Sequence, residues 1–234
     1  MRRMPDARLW VETLAATPLF AGLAPDVLAE VAEDVVSRRF RRGEVIFHAG
    51  DPGDSLFVVD WGVVKVSLPA EDGDEAILSM HRRGDLFGVL TLLDGEPRQV
   101  TAVAMEPTQV LLVGRERFLR SLSEAPTRDA LVAGLVGDVR GLITRIEELH
   151  FLDIAGRLAA RLVDLAKQAG TELSDGSLRL DLPLTQRDLA SMVGCTRQSV
   201  NKLLGQFADD GMVRLDRDNV VITDLARLVR YARR

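Results

Sequence analysis

Residues Thr185–Leu204 read TQRDLASMVGCTRQSVNKLL. Thr185 and Thr196 each stand just before a run of helical periodicity, and Gly194 stands between the two runs. A threonine hydroxyl accepts a bond from a free backbone N–H of a first helical turn, so both are read as helix N-caps. The first helix is expected to end near Val193 and the second near Phe207. Ala190, Gly194 and Val200 fall where two short crossing helices need them. A small residue permits close approach, glycine permits positive φ in the turn, and a β-branched side chain locks the second helix onto the first. Leu189, Val193, Leu203 and Leu204 supply apolar contacts. Downstream, GMVRLDRDNVVITD reads as two short strands around an RDN turn, the wing of a winged helix-turn-helix.

A second helix placed this way enters the major groove of double-stranded DNA with its N-terminal residues on base edges. Arg197, Gln198, Asn201 and Lys202 lie on its exposed face. Arginine suits bidentate contact with guanine, and glutamine pairs with adenine N6 and N7. Thr185, Gln186, Arg187, Thr196 and Ser199 are placed to hold phosphates, which fix position and read no sequence. A plain helical hairpin with a solvated polar face is the simpler alternative. The joint occurrence of small residue, glycine, β-branched residue, two caps and a wing argues against it.

Working back along the chain, FLDIAGRLAARLVDLAKQAG is an amphipathic helix with Asp153 as its N-cap and Gly170 at its end. The turn-rich TELSDGS follows, with two short β segments expected after it. Before it, Val132, Leu135, Val139, Leu142, Ile146 and Leu149 recur at alternating spacings of three and four, a heptad seam. The seam fits an isologous two-fold dimer or a helix packed on its own domain. Gly134, Gly137 and Gly141 interrupt this helix, each at a cost of about 1 kcal/mol relative to alanine. They mark either close packing against the neighbouring barrel or a helix left marginal.

From Phe40 to about Val113 the pattern is different. Short β-rich runs (VIFHA, LFVVDWGVVKVSL, EAILSMH, VTAVA, QVLLV) alternate with turns rich in Gly, Asp and Pro. That alternation predicts an antiparallel barrel or roll, with EDGDE as a hairpin turn. Short helices are expected between Trp10 and Val36, broken at Pro18 and Pro25. The fold class is therefore α+β. An N-terminal β-roll sensor domain spans 1–126, a long dimerisation helix 127–150 and a winged helix-turn-helix domain 151–234.

With 47% apolar residues the 234-residue chain has a core to bury. Its one cysteine, Cys195, excludes an internal disulfide framework and any cysteine-rich metal or iron–sulfur site. Net charge is −5, but it is unevenly spread. From Phe151 on there are 13 Lys+Arg against 11 Asp+Glu; before it, 17 against 24. An acidic sensor part and a mildly basic DNA-binding part fit this division. The N-terminus lacks the apolar core of a signal peptide, and no apolar run approaches the ~18–20 residues that span a bilayer. The expectation is a cytoplasmic protein with no membrane partner.

These motifs resemble the family of cyclic AMP receptor protein and the fumarate–nitrate regulator, the CRP/FNR family, over nearly the whole chain. RGEVIFHAGDPGDSLFVVDWGVVKV is similar to the cyclic-nucleotide-binding β-roll signature, and FGVLTLLDGEPRQVTA to its phosphate-binding cassette. FLDIAGR resembles the hinge, and VGCTRQSVNKLL the recognition helix. The resemblance implies a homodimer on a palindromic promoter site that contacts RNA polymerase. It places the ligand pocket at Gly88, Val89, Arg98, Gln99 and Val100, with Leu142 and Ile143 from the long helix.

This chain departs from that pattern at three anchors. The cassette's Gly-Glu pair is Gly88-Val89, its Arg-Ser pair is Arg98-Gln99, and the Thr-Ser pair of the helix is Leu142-Ile143. Each lost partner of a buried polar group costs about 1–3 kcal/mol. Cyclic AMP is thus not the expected ligand, and no cofactor is expected. A cyclic mono- or dinucleotide or another anion held at Arg98 is the alternative. In the recognition helix, Arg197-Gln198 stands where many members have Arg-Glu, so an altered half-site is expected. A nucleotide-binding regulatory subunit without DNA binding is disfavoured by the winged helix. An enzyme is not expected, since no nucleophile–base pair, Walker loop or metal-spaced cluster stands out. His48, His81 and His150 are scattered and are read as packed or solvated side chains.

Overall fold

The computed structural model describes residues 7–70, 73–216 and 219–232. The sequence DLARLVRYARR reads as a final helix with basic residues near its end, of which Arg233 and Arg234 lie outside the described residues. So do Glu71 and Asp72 of the EDGDE turn and Arg217 and Asp218 of the RDN turn.

Two short helices, α1 (Ala7–Ala16) and α2 (Pro25–Glu33), open the chain. Pro25 takes the first turn of α2, where no N–H is needed. The strands β1 (Val36–Phe40), β2 (Val45–Phe47), β3 (Ser55–Trp61), β4 (Val64–Pro69), β5 (Glu75–His81) and β6 (Leu86–Phe87) follow. Then come α3 (Leu90–Asp94), β7 (Thr101–Ala104), β8 (Thr108–Gly114) and α4 (Arg115–Ser121). The strands form two four-stranded sheets, β1-β8-β3-β6 and β2-β7-β4-β5. Their inner faces meet at Phe47, Phe57, Val59, Val66, Phe87, Ala102 and Val110. The other face of the first sheet presents Leu56, Val58, Leu111 and Val113 to Leu14, Phe20, Leu28 and Phe118 of the helical segments. Central strands β3 and β8 are covered on both faces, which explains their continuous apolar runs.

The expected antiparallel roll is present, with additions. Strand β1 begins at Val36, within the stretch expected to be helical, and its SRRF sequence is polar because it is an edge strand paired only with β8. Helices α3 and α4 were not expected from the pattern; each is seven residues or shorter and buries only two side chains.

The long helix α5 (Ala125–Phe151) is followed by α6 (Ile154–Ala169), β9 (Gly170–Glu172) and β10 (Leu178–Leu180). Next come α7 (Gln186–Val193), α8 (Arg197–Asp209), β11 (Val213–Asp216), β12 (Asn219–Ile222) and α9 (Leu225–Tyr231). Asp153 caps α6 by accepting from the Gly156 N–H at 2.7 Å, and Gly170 ends it. The β segments around TELSDGS differ from expectation. One strand precedes the turn and takes Thr171 and Glu172 from it; only β10 follows, because Pro183 lies close behind. The Leu173 N–H donates to the Ser177 carbonyl across the intervening turn. Sheet β11-β12-β10-β9 carries the wing. Leu158, Leu162 and Leu165 of α6 form the core of this part, and α6 packs against α7 and α9.

The described residues fall into two compact units. One holds the residues up to Gly73 and Leu78–Val139; the other holds Asp74–Ile77 and the residues from Arg140 on. No described helix is long and apolar enough to cross a membrane.

Candidate ligand pocket and nucleic-acid interface

The cassette begins at the end of β6. Gly88 has φ +78, after which α3 runs to a left-handed Gly95, and the chain returns through Arg98 into β7. Arg98 is only 4% exposed. Its Nη1 donates to the Gly88 carbonyl at 2.6 Å and lies 3.5 Å from Thr91 Oγ1. Its Nη2 donates to the Ser55 carbonyl at 2.5 Å. The guanidinium carbon lies 4.5 Å from the centroid of the Phe47 ring and 5.4 Å from that of Phe57. Phe57 in turn stacks on Phe87 at 5.1 Å. Both terminal nitrogens of this buried cation thus have carbonyl acceptors, and its face lies over two aromatic rings.

The glycines around this side chain are there for space. A Cβ on Gly53 would come within 2.2 Å of Thr91 Cγ2 and 2.9 Å of the Arg98 guanidinium carbon. One on Gly88 would come within 2.7 Å of Arg98 Nη1. Burial lowers the Arg98 pKa, while Asp54 and then Asp51 oppose that shift and keep the cation supported. Among the described residues its Nε is buried without a hydrogen-bond partner.

The remaining cassette positions behave differently. Val89 is half-buried and packs on the cluster around Leu56 and Phe118, while Val100 packs on the Phe47–Phe57 cluster. Gln99 is exposed. Leu142 and Ile143 are exposed on α5 and belong to the other unit. Gly88 and Arg98 are brought together, with Val100 in the adjoining core. Val89 and Gln99 do not join them. The residues that complete the arrangement, Phe47, Phe57 and the Ser55 carbonyl, are legible in sequence only as ordinary strand positions. Nearby, burial pulls the His81 pKa down to about 4 against the opposing charge of Asp85. The ring lies 5.3 Å from that of Phe87, with Nε2 2.9 Å from Ser79 Oγ.

In the helical hairpin, the Thr185 hydroxyl accepts from the Asp188 N–H at 3.2 Å, and the Asp188 carboxylate accepts from the Thr185 N–H at 2.8 Å. This reciprocal pair is a capping box. Gly194 adopts φ +73 and its N–H returns to the Ala190 carbonyl at 2.9 Å, which ends α7. Thr196 caps α8 by accepting from the Ser199 N–H at 3.1 Å. Val200, Leu204 and Phe207 are buried, whereas Leu203 is only half-buried and contributes less to the core than expected. Arg197, Gln198, Asn201 and Lys202 are exposed on one face of α8. Arg187 is exposed and Gln186 and Ser199 half-buried beside them. Burial pushes the Cys195 thiol pKa up, with Arg157 opposing.

Arg157, in the FLDIAGR stretch, has a role the sequence does not reveal. Its Nε donates to the Val193 carbonyl at 3.1 Å and its Nη1 to the Leu152 carbonyl at 3.2 Å. One side chain thus ties the end of α7 to the corner between α5 and α6.

A β-roll with this cassette and a capped, winged helix-turn-helix are matched by two family models. The cyclic nucleotide-binding domain covers residues 37–125, and the Crp-like helix-turn-helix domain covers residues 156–231. A CRP-like cAMP-activated global transcriptional regulator of Mycobacterium tuberculosis is 34% identical over 223 residues, 95% of this chain and 99% of that protein. The chain belongs to the CRP/FNR family. The cyclic AMP receptor protein of Thermus thermophilus is 30% identical over 220 residues, 94% of this chain and 98% of its own. A CRP/FNR transcriptional regulator structure from the same organism matches with a TM-score of 0.68 at 27% identity, covering 85% of this chain and 99% of its own. CRP/FNR proteins are transcription regulators rather than enzymes.

Proposed function

We propose that this CRP/FNR regulator is a cytoplasmic homodimer that binds a palindromic promoter site in double-stranded DNA without needing cyclic AMP. Arg197 and Gln198 read base edges, with Asn201 and Lys202 beside them. Thr185, Gln186, Arg187, Thr196 and Ser199 lie near phosphates, and RNA polymerase is the partner on the promoter. The exposed seam of α5 supports the dimer: Val139 and Ile146 are each 56% exposed in the single chain, a large apolar investment for a free surface.

Independence from cyclic AMP rests on Arg98. The one charged group left for a cyclic phosphate holds two backbone carbonyls and lies on two phenyl rings. Releasing it would break two charge-assisted hydrogen bonds before any ligand contact forms. The cAMP-activated regulator and the cyclic AMP receptor protein to which the chain is similar therefore do not carry that dependence to it. Fluorescence anisotropy on promoter DNA tests the reading with and without a panel of cyclic nucleotides. Equal affinities are expected; a tenfold or greater gain with cyclic AMP overturns it. One observation favours a second reading, an anionic effector at Arg98: the buried Nε still has no acceptor among the described residues. A cyclic dinucleotide or other anion that tightens DNA binding in the same panel would select it.

A further inference from the structure

We infer that Thr223 and Arg227 are positioning residues for α8: together they grip its C-terminal end and so fix the direction in which its N-terminal residues are presented. The end of α8 is closed first by its own backbone. Gly211 adopts φ +71, its N–H donates to the Ala208 carbonyl at 2.9 Å, and the Met212 N–H donates to the Phe207 carbonyl at 2.8 Å. This is a Schellman closure, and it leaves the carbonyls of Asp210, Gly211 and Met212 beyond the helical ladder. All three are taken by one short stretch that follows β12. Arg227 Nη1 donates to the Asp210 carbonyl at 2.5 Å, and the Thr223 hydroxyl donates to the Gly211 carbonyl at 2.9 Å. The Thr223 and Asp224 N–H groups donate to the Met212 carbonyl at 3.0 and 3.2 Å. Asp224 in turn accepts from the Arg227 N–H at 2.8 Å, which starts α9. The pairing of Val213 with Ile222 in the wing hairpin delivers this stretch beside the end of α8. Farther along α9, Leu228 is fully buried and the Tyr231 ring meets Phe207 edge-on at 5.3 Å.

A buried face alone does not set the direction of a helix axis. Val200 and Leu204 hold the middle of α8 to the core, and the grip at Asp210–Met212 adds a second fixed point. A tilt of about 10° around Val200 and Leu204 would shift Arg197 by about 1 Å. That exceeds the roughly 0.5 Å range of a good hydrogen bond, so base contacts at the far end depend on it. Arg227 is exposed, and a direct phosphate contact is the competing role. The two roles differ in what is lost without the side chain. A phosphate contact holds every DNA sequence alike, whereas the direction of α8 matters only where bases are read.

The test is a double variant, Thr223→Val with Arg227→Met, and Thr223→Val alone as the milder change; both side chains are exposed, so the fold is kept. Hydrogen–deuterium exchange on the full-length protein without DNA should show amides of 210–212 exchanging about tenfold faster or more in the double variant, with those of 186–193 unchanged. Fluorescence anisotropy should show affinity for promoter DNA falling about tenfold or more, affinity for random-sequence DNA staying within about twofold, and an unchanged salt dependence. Thr223→Val alone gives a smaller loss in the same direction. Unchanged exchange at 210–212 overturns the grip. Unchanged promoter affinity overturns the positioning role. Equal losses on both DNAs, with a salt slope lower by about one, make Arg227 a phosphate ligand and overturn that role too. The positioning role rests on the DNA-binding reading above. A wild-type protein with no preference for promoter DNA sinks that reading and the role with it, while the grip still stands or falls by the exchange of the protein alone.

Discussion

Arg98 looks in sequence like the surviving half of an anion site, and in the folded chain it is a strut. Its charge was legible from the DGEPRQ turn; its direction was not, because the acceptors are backbone carbonyls that any residue would supply. Arg98→Met keeps the stem and removes the donors. It strands the Gly88 and Ser55 carbonyls, and hydrogen bonds to a charged group contribute about 1.5–3 kcal/mol each. A loss of roughly 3–6 kcal/mol in urea unfolding is expected, and unchanged stability would show that the arginine is free for a ligand. On α8, Gln198→Glu replaces a side chain suited to adenine by one that accepts from cytosine N4. Selection from a random DNA library should then show a changed preference at one base pair per half-site, worth about 1–3 kcal/mol. Recovery of the same site by both proteins would remove Gln198 from base reading.

Helix α5 shows what periodicity can and cannot report about an element. Spacings of three and four located its seam, and the 56% exposure of Val139 and Ile146 in the single chain rules out burial within its own chain. Ile146→Asp places a charge within that seam. Size-exclusion chromatography with light scattering should show the variant at half the wild-type mass, and an unaltered dimer would place the interface elsewhere. The strands were legible wherever alternation or turn glycines marked them. Edge strand β1 was hidden by its arginines, and α3 and α4 by their brevity. The TELSDGS hairpin was misread because its first strand offers only Gly170, Thr171 and Glu172, none of them fully buried.

For the molecule as a whole, the order of roll, long helix and winged helix-turn-helix could be read from sequence because each has its own period. Side-chain fixings such as Arg157 on two carbonyls could not, since one of them, at Val193, lies 36 residues away in the chain. Stability against pH depends on one such neighbourhood. His81 has a folded pKa of about 4, below its ordinary value of 6.5, because burial against Phe87 disfavours the cation. The unfolded chain therefore binds the proton more readily. Stability is fully present above about pH 6.5 and falls as the pH drops from there towards 4. Urea midpoints at pH 7 and pH 5 should differ by more in the wild type than in His81→Gln. Equal differences would show that other groups govern the acid limb.

The two carbonyls that hold Arg98 give the cassette a polarity opposite to its ancestry. If the side chain is cut back, as in Arg98→Gly, what remains is a hole lined by oxygen acceptors and phenyl faces, with Asp51 and Asp54 nearby. Such a hole suits a small planar cation rather than a phosphate. Millimolar guanidinium should raise the melting temperature of that variant and not of the wild type, a chemical rescue that a nucleotide phosphate would not reproduce.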